Sequence, residues 1–235
     1  MKSIFRKSVL SVAVLASGTV AGPAIATQAT AGPVTAVRPA QVETKPAYAE
    51  QAQPPPPPPP PSPPPPADEA RRVLHYDYER QPNSYYCAPA ATRIALSTQG
   101  KVVSQREVAD KLHTTRAGTN SVNDTTRVLN DLTSGGYQTT EIKGAEAEPA
   151  QVDKLRVDVV EAVDAKRGVV ANIMGTAVDT QGNQYSYEGG HYLTIVGYRD
   201  GGETMKIADP YDATKHYWMS DDNVADWIAE RGYSS

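Results

Sequence analysis

Eight consecutive prolines (Pro54–Pro61), one serine and four more prolines (Pro63–Pro66) form a thirteen-residue run that neither a helix nor a sheet can absorb. Proline fixes φ and has no amide to donate to either ladder. Such a run takes the polyproline II form, and thirteen residues at ~3.1 Å each reach about 40 Å. The run therefore confines any packed core to one side of itself. Together with the Ala-, Pro-, Val- and Thr-rich stretch before it, it makes residues 32–67 an expected disordered linker, a spacer holding a domain away from a membrane, a wall or a precursor segment. Residues 68–235 remain: 168 residues, one domain's worth and long enough for a core.

The first residues carry Lys2, Arg6 and Lys7, then an apolar stretch from Ser8 to about Gly22, then Ala24-Ile-Ala26 and Ala29-Thr-Ala31. A basic start, a short apolar segment and small residues predict a signal peptide over 1–31, cleaved after 26 or 31, with an uncleaved anchor as the alternative. The mature chain is then expected to be secreted or extracellular, with cell-envelope association through the spacer. No later segment approaches the ~18 apolar residues of a membrane span, so no transmembrane segment is expected in it. Residues 68–235 hold 25 acidic and 18 basic residues, a formal charge of -7. Without a basic stripe, nucleic acid is not an expected partner. One cysteine and four histidines with no short paired spacing predict no metal and no cofactor.

Leu74–Tyr78 alternates like a short strand. From Cys87, the positions Ala90, Ala91, Ile94, Ala95 and Thr98 recur at helical spacing, and Pro89 suits a first helical turn. Ser104 and Glu107 have capping-box spacing and predict a helix to Leu112. Another helix starts near Asn123 and carries Val128, Leu129 and Leu132, stopped by Gly135-Gly136. A strand over Tyr137–Ile142 follows, then a helix from Pro149 with Val152, Leu155, Val159 and Val163 on one face. Val169–Met174 reads as a buried strand, and Thr176–Gly189, polar and turn-rich, as a hairpin or rim loop. Tyr192–Tyr198, Thr204–Ala208 and Tyr217–Met219 read as further strands. Asp221 or Asp222 is the expected cap of a last helix with Val224, Trp227 and Ile228. Helices first and antiparallel strands later predict an α+β fold.

Cys87 has no partner for an intramolecular disulfide in a chain that reads as exported. It stands where free amides and a helix dipole favour a thiolate, which points to a nucleophile; the bland reading is a small buried hydrophobe. A thiol nucleophile needs a base and a group to orient that base. His191 follows Gly189-Gly190 at the start of the strongest strand, and Asp209 ends the next one. Counting residues about the turn at Asp200–Gly202 sets His191 opposite position 210 or 211, next to Asp209. A structural histidine and an Asx-turn aspartate are the alternatives. His75, His113 and His216 suit surface or structural roles. Gly118-Thr-Asn and the Thr176–Gly189 loop are candidate cleft walls; Tyr85 and Tyr86 suit the core or the cleft rim.

Gln81…Cys87-Ala-Pro-Ala-Ala, Gly190-His191-Tyr and Ala208-Asp209-Pro together resemble the C39-like division of the papain-like cysteine peptidases, over about Leu74 to Trp227. The resemblance implies a papain-like cysteine peptidase fold, with an N-terminal helical part and a C-terminal antiparallel sheet. It makes Cys87 the nucleophile, His191 the general base and acid, and Asp209 its orienting partner. Gln81 would add a side-chain amide to an oxyanion hole completed by the Cys87 N–H. The implied partner is a peptide or protein substrate, hydrolysed through a thioester. Thiol-dependent acyl transfer and an inactive peptide-binding or cell-envelope module are the alternatives. Two departures stand out. Relatives that cleave export leaders after a double glycine are fused to a transporter, whereas no ATP-binding motif occurs here. The residue after the cysteine, often glycine in the family, is Ala88, whose methyl is expected to narrow the cleft.

Overall fold

The computed structural model describes residues 71–211, 214 and 216–235; the signal-peptide and linker assignments lie outside them. The described residues belong to a single unit, Pro59–Ser235. Three helices come early: α1 (Cys87–Ser97), α2 (Gln105–Leu112) and α3 (Val122–Leu132). The caps explain two of the starts. Ser104 accepts from the Glu107 amide and Ser121 from the Asn123 amide, satisfying donors that a first turn leaves free. Helix α4 (Pro149–Asp164) carries proline at its first position and buries Val152, Leu155, Val159 and Val163, the stripe read from the sequence. Helix α5 (Asp221–Ile228) is capped by Ser220, not by either aspartate: the serine oxygen accepts from Asn223, while Asp221 is drawn into an ion pair with Arg156.

The strands are β1 (Arg72–Val73), β2 (Thr139–Glu141), β3 (Val169–Val178), β4 (Gln184–Arg199), β5 (Thr204–Ala208), β6 (His216–Ser220) and β7 (Gly232–Ser234). They pair antiparallel in the order β2-β7-β3-β4-β5-β6. β1 joins β4 at Gly197 and Tyr198, beyond Ile195 where β3 stops pairing. The strand expected over Leu74–Tyr78 is thus displaced to Arg72–Val73, and of the expected segment Leu74 alone donates across, to Val196 O. Gly197 permits this approach: a Cβ there would stand 2.5 Å from Arg72 O. Tyr76 and Tyr78 instead turn their rings to His216.

The sheet is covered on both faces, and period-two alternation assigns each residue its side. Val169, Ala171, Ile173, Leu193 and Ile195 pack with Leu155, Val159 and Trp227 from α4 and α5. Val170 and Tyr192 face the other way, onto Ala91, Ala95, Leu112 and Leu129 from α1–α3. The architecture is the α+β, papain-like arrangement of helices and antiparallel sheet, with α1–α3 on one face and α4 and α5 on the other. The segment Thr176–Gly189 is a hairpin, and β4 begins five residues before Gly189. β7, absent from the sequence reading, lies between β2 and β3 and is fastened by Ser234 Oγ, which bonds Thr125 Oγ1 at 2.8 Å and Thr126 Oγ1 at 2.7 Å. No helix among the described residues is long and apolar enough to cross a membrane.

Candidate active site

Cys87 is the first residue of α1. Tyr86 at the N-cap provides no side-chain cap, so the first amides of the helix stay available near the sulfur. The Asn83 side chain accepts from the Tyr85 amide at 3.1 Å, bending the chain into the helix. This loop is fastened to the segment that carries Asp209: Gln81 N donates to Pro210 O (2.8 Å), Arg80 Nε to Tyr211 O (2.8 Å) and Tyr78 Oη to Asp209 O (2.9 Å). The thiol and the carboxylate are thereby held in one frame although 122 positions separate them in sequence.

His191 is placed by a bulge. Ile173 pairs with His191 and Gly175 with Tyr187, so Met174 alone stands against Glu188, Gly189 and Gly190. Gly190 takes φ +86°, a left-handed conformation suited to glycine. From there, His191 Nε2 donates to Asp209 Oδ1 at 2.8 Å, and the ring stands beside the Cys87 thiol, near enough that each shifts the other's pKa. With Nε2 used by Asp209, Nδ1 is the nitrogen left for the sulfur. β5 ends at Ala208, so Asp209 leaves the ladder and reaches back to the ring.

Asp209 is fully buried yet well supplied with donors. Besides His191, Oδ1 accepts from Tyr211 N (2.9 Å), and Oδ2 from Tyr187 Oη (2.7 Å) and Tyr217 Oη (3.3 Å). Burial alone would raise its pKa; the His191 bond and charge, the Tyr211 amide and the Tyr187 hydroxyl outweigh that and hold it below the usual carboxylate range. For Cys87, burial likewise pushes the thiol up. The His191 bond and charge, with the amides of Tyr192 and Ala88, pull it below its ordinary value. Burial pushes His191 down, but its bonds to Asp209 and Cys87 and their charges raise it to about 9. The three groups together favour thiolate beside imidazolium.

Tyr187 and Tyr217 were not legible as site residues, although alternation of Tyr185 and Tyr187 in a polar stretch was a usable signal. The Tyr187 ring stacks on His191 with centroids 4.0 Å apart and planes 17° from parallel. Of the predicted quartet, the structure joins Cys87, His191 and Asp209. Gln81 is buried nearby, but its Nε2 donates to Asn83 O at 2.7 Å, and Ser84 and Tyr85 line the cleft in its place. The Ala88 expectation is corrected: its side chain is fully buried against α1–α3 neighbours, so the methyl faces the core and does not narrow the cleft. Gly118, Thr119 and Asn120 do form a wall, and Gly189 and Gly190 face them across a cleft of about 360 Å³. His75 is exposed, His113 closes α2 at φ 54°, and His216 Nδ1 bonds Tyr76 Oη at 3.0 Å.

No curated protein matches the chain significantly. Among solved structures it is similar to a protein from Bacillus anthracis described as a C39-like peptidase (11% identity, TM-score 0.49, covering 70% of this chain and 96% of that one). It is also similar to the peptidase domain of Streptococcus ComA, a bifunctional ABC transporter of a quorum-sensing pathway (17%, 0.45, 68% and 96%). A third is a double-glycine-motif protease of an AMS/PCAT transporter in complex with the leader peptide (14%, 0.43, 69% and 91%). The sequence pattern of the Peptidase_C39 like family matches residues 73–234, over two thirds of the chain. The chain belongs to the C39-like peptidase family.

Proposed function

We propose that the chain is a secreted thiol peptidase that cleaves peptide bonds through Cys87, His191 and Asp209. The observation that carries this reading is that Cys87 and His191 line one open cleft, with His191 hydrogen-bonded to a buried Asp209 and lowering the thiol's pKa. The thiolate bonds to the peptide carbonyl carbon, and the oxygen takes the charge. The Cys87 N–H at the start of α1 stabilises that oxyanion, and the Gln81 amide would supply a second donor once turned from Asn83 O into the cleft. His191 gives its proton to the departing nitrogen as the C–N bond breaks, leaving a thioester. Water then attacks the thioester carbon, gives a proton to His191 and releases the acid; the C–S bond breaks and restores thiolate and imidazolium. Export rests on the residue pattern of 1–31, and the proline run serves as the spacer from the cell envelope.

The test has two parts. Alkylation of Cys87 by iodoacetamide should slow at least tenfold in His191→Ala, in line with a loss of ~1.4 kcal/mol or more of thiolate stabilisation. A peptide library should be cleaved by the wild-type chain and not by Cys87→Ala prepared in parallel. Equal alkylation rates would remove the activated pair. Cleavage that survives Cys87→Ala would assign the activity elsewhere.

A further inference from the structure

The substrate side of the cleft carries a charge that the catalytic chemistry leaves unused. Arg231 stands on the turn between α5 and β7, its backbone held by Arg231 N to Ile228 O (2.9 Å) and Ile142 N to Arg231 O (3.2 Å). Several arginines of the domain have carboxylate partners, as in Arg156–Asp221, Arg93–Glu79 and Arg72–Asp164. Arg231 has none among the described residues. Its Nη2 meets only the Met174 sulfur, a weak acceptor, at 2.9 Å, and its buried Nε has no acceptor at all. The buried Nε is out of a ligand's reach, so the Nη groups are the donors that a carboxylate in the cleft would meet.

The position is as telling as the missing partner. A Cβ on Gly190 would lie 3.9 Å from Arg231 Nη2, so the guanidinium sits behind the residue that precedes His191, with no side chain in between. Arg231 lines the Cys87 cleft, where Arg116 contributes a second cation and no aspartate or glutamate contributes at all. This is a cationic cleft in a domain whose formal charge is -7. An adjoining cavity of about 390 Å³ shares Arg231, Asn120 and Asn172 and is lined by Glu141, Lys143 and Glu230. The absence of acidic groups is therefore a property of the Cys87 side.

We propose that Arg231 is the specificity-determining residue of the cleft and selects peptides with a carboxylate side chain, aspartate or glutamate, close to the scissile bond. The inference rests on the thiol-peptidase reading for its substrate and on the unpaired guanidinium for its charge. The experiment compares peptide pairs that differ only by Glu or Gln at each of three positions on either side of the cleaved bond. The wild-type chain should favour Glu at one position by about tenfold in kcat/KM, the worth of one charge-assisted contact. Arg231→Gln should bring that ratio close to one, Arg231→Lys should keep part of it, and Arg231→Glu should turn it toward a Lys-bearing peptide.

A second readout needs no peptide hydrolysis. The rates at which chloroacetate and chloroacetamide alkylate Cys87 should give a ratio that drops several-fold in Arg231→Gln, with less change in Arg116→Gln, whose side chain is exposed. If no peptide is cleaved by the wild type, the peptidase reading fails, and the alkylation ratio alone decides the role of Arg231. Where peptides are cleaved, the hydrolysis ratio decides: no carboxylate preference in the wild type, or one unchanged in Arg231→Gln, overturns the proposal.

Discussion

Tyr187 lies flat against the imidazole of His191 while its hydroxyl donates 2.7 Å to Asp209 Oδ2. One side chain thus touches both the base and the group that orients it. It packs in turn against Trp227, whose indole N–H is fixed to Gly175 O at 3.0 Å. Tyr187→Phe keeps the stack and deletes the donor. A hydrogen bond to a charged group contributes ~1.5–3 kcal/mol, so kcat/KM should drop by about ten- to a hundredfold. Tyr187→Ala also opens the His191–Asp209 bond to water and should be the more damaging change. Steady-state rates and the alkaline limb of the pH profile, measured on both variants, separate the two contributions. A Phe variant indistinguishable from wild type would leave Tyr187 as packing alone.

The pH dependence follows from the direction of each shift. Cys87 is lowered and His191 raised to about 9, so thiolate and imidazolium coexist between the two titrations. Activity should be lost on the alkaline side near pH 9, as His191 gives up its proton. The stabilisation from this raised histidine is likewise complete below the unfolded value of ~6.5 and is lost as pH rises through about 9. Asp209→Asn removes the charge behind the imidazolium. It should move the alkaline limb down and cut kcat by about 10²–10⁴. An alkaline limb unmoved by Asp209→Asn would detach that titration from His191.

Two glycines should fail in different ways. Gly190→Ala places a Cβ on a residue at φ +86°, which costs about 1–2 kcal/mol and pulls on the bulge that aims His191. Its kcat should fall further than its stability accounts for. Gly197→Ala sets a Cβ 2.5 Å from Arg72 O and 2.8 Å from Val73 Cα, so β1 must move away. The expected loss is about 1–3 kcal/mol, read as a lower urea midpoint.

Ala88→Gly restores the residue often found after the cysteine in the family. Because the Ala88 methyl, in the first turn of α1, is packed in the core, its removal leaves a small void and loosens that turn. A loss of about 1 kcal/mol is expected. Turnover should not rise; a clear gain in kcat would mean that the methyl does limit the cleft.

What the sequence made legible depended on how local the determining interaction was. Ser104 with Glu107, the stripe from Val152 to Val163 and the helix start at Cys87 are fixed within a few residues, and the fold reproduces them. The pairing of His191 with Asp209 was reached by counting about one turn. The ladder on the His191 side of the bulge between Ile195 and Gly197, with Thr194 opposite Ala208, agrees with that count, and Asp209, past the end of β5, turns back to the ring. β7 could not be read from Gly232-Tyr-Ser, since only its neighbours β2 and β3 make it a strand. Gln81 was placed by resemblance, and its side chain turns to Asn83, an orientation that motif spacing does not encode. Arg231 is likewise distant in sequence from Cys87 and His191, and only the folded turn after α5 brings it to the cleft.

The place of β7 between β2 and β3 has a consequence for how the domain comes into being. Residues 232–234 follow β2 and β3 in the chain, and so are synthesised after them, yet they fill an inner row of the sheet between the two. Until they arrive, facing edges of β2 and β3 stay unpaired, and the turn carrying Arg231 lacks the strand that anchors its far end. Assembly of the cleft is therefore tied to β7, and the thiol at position 87 waits for residues synthesised almost 150 positions later.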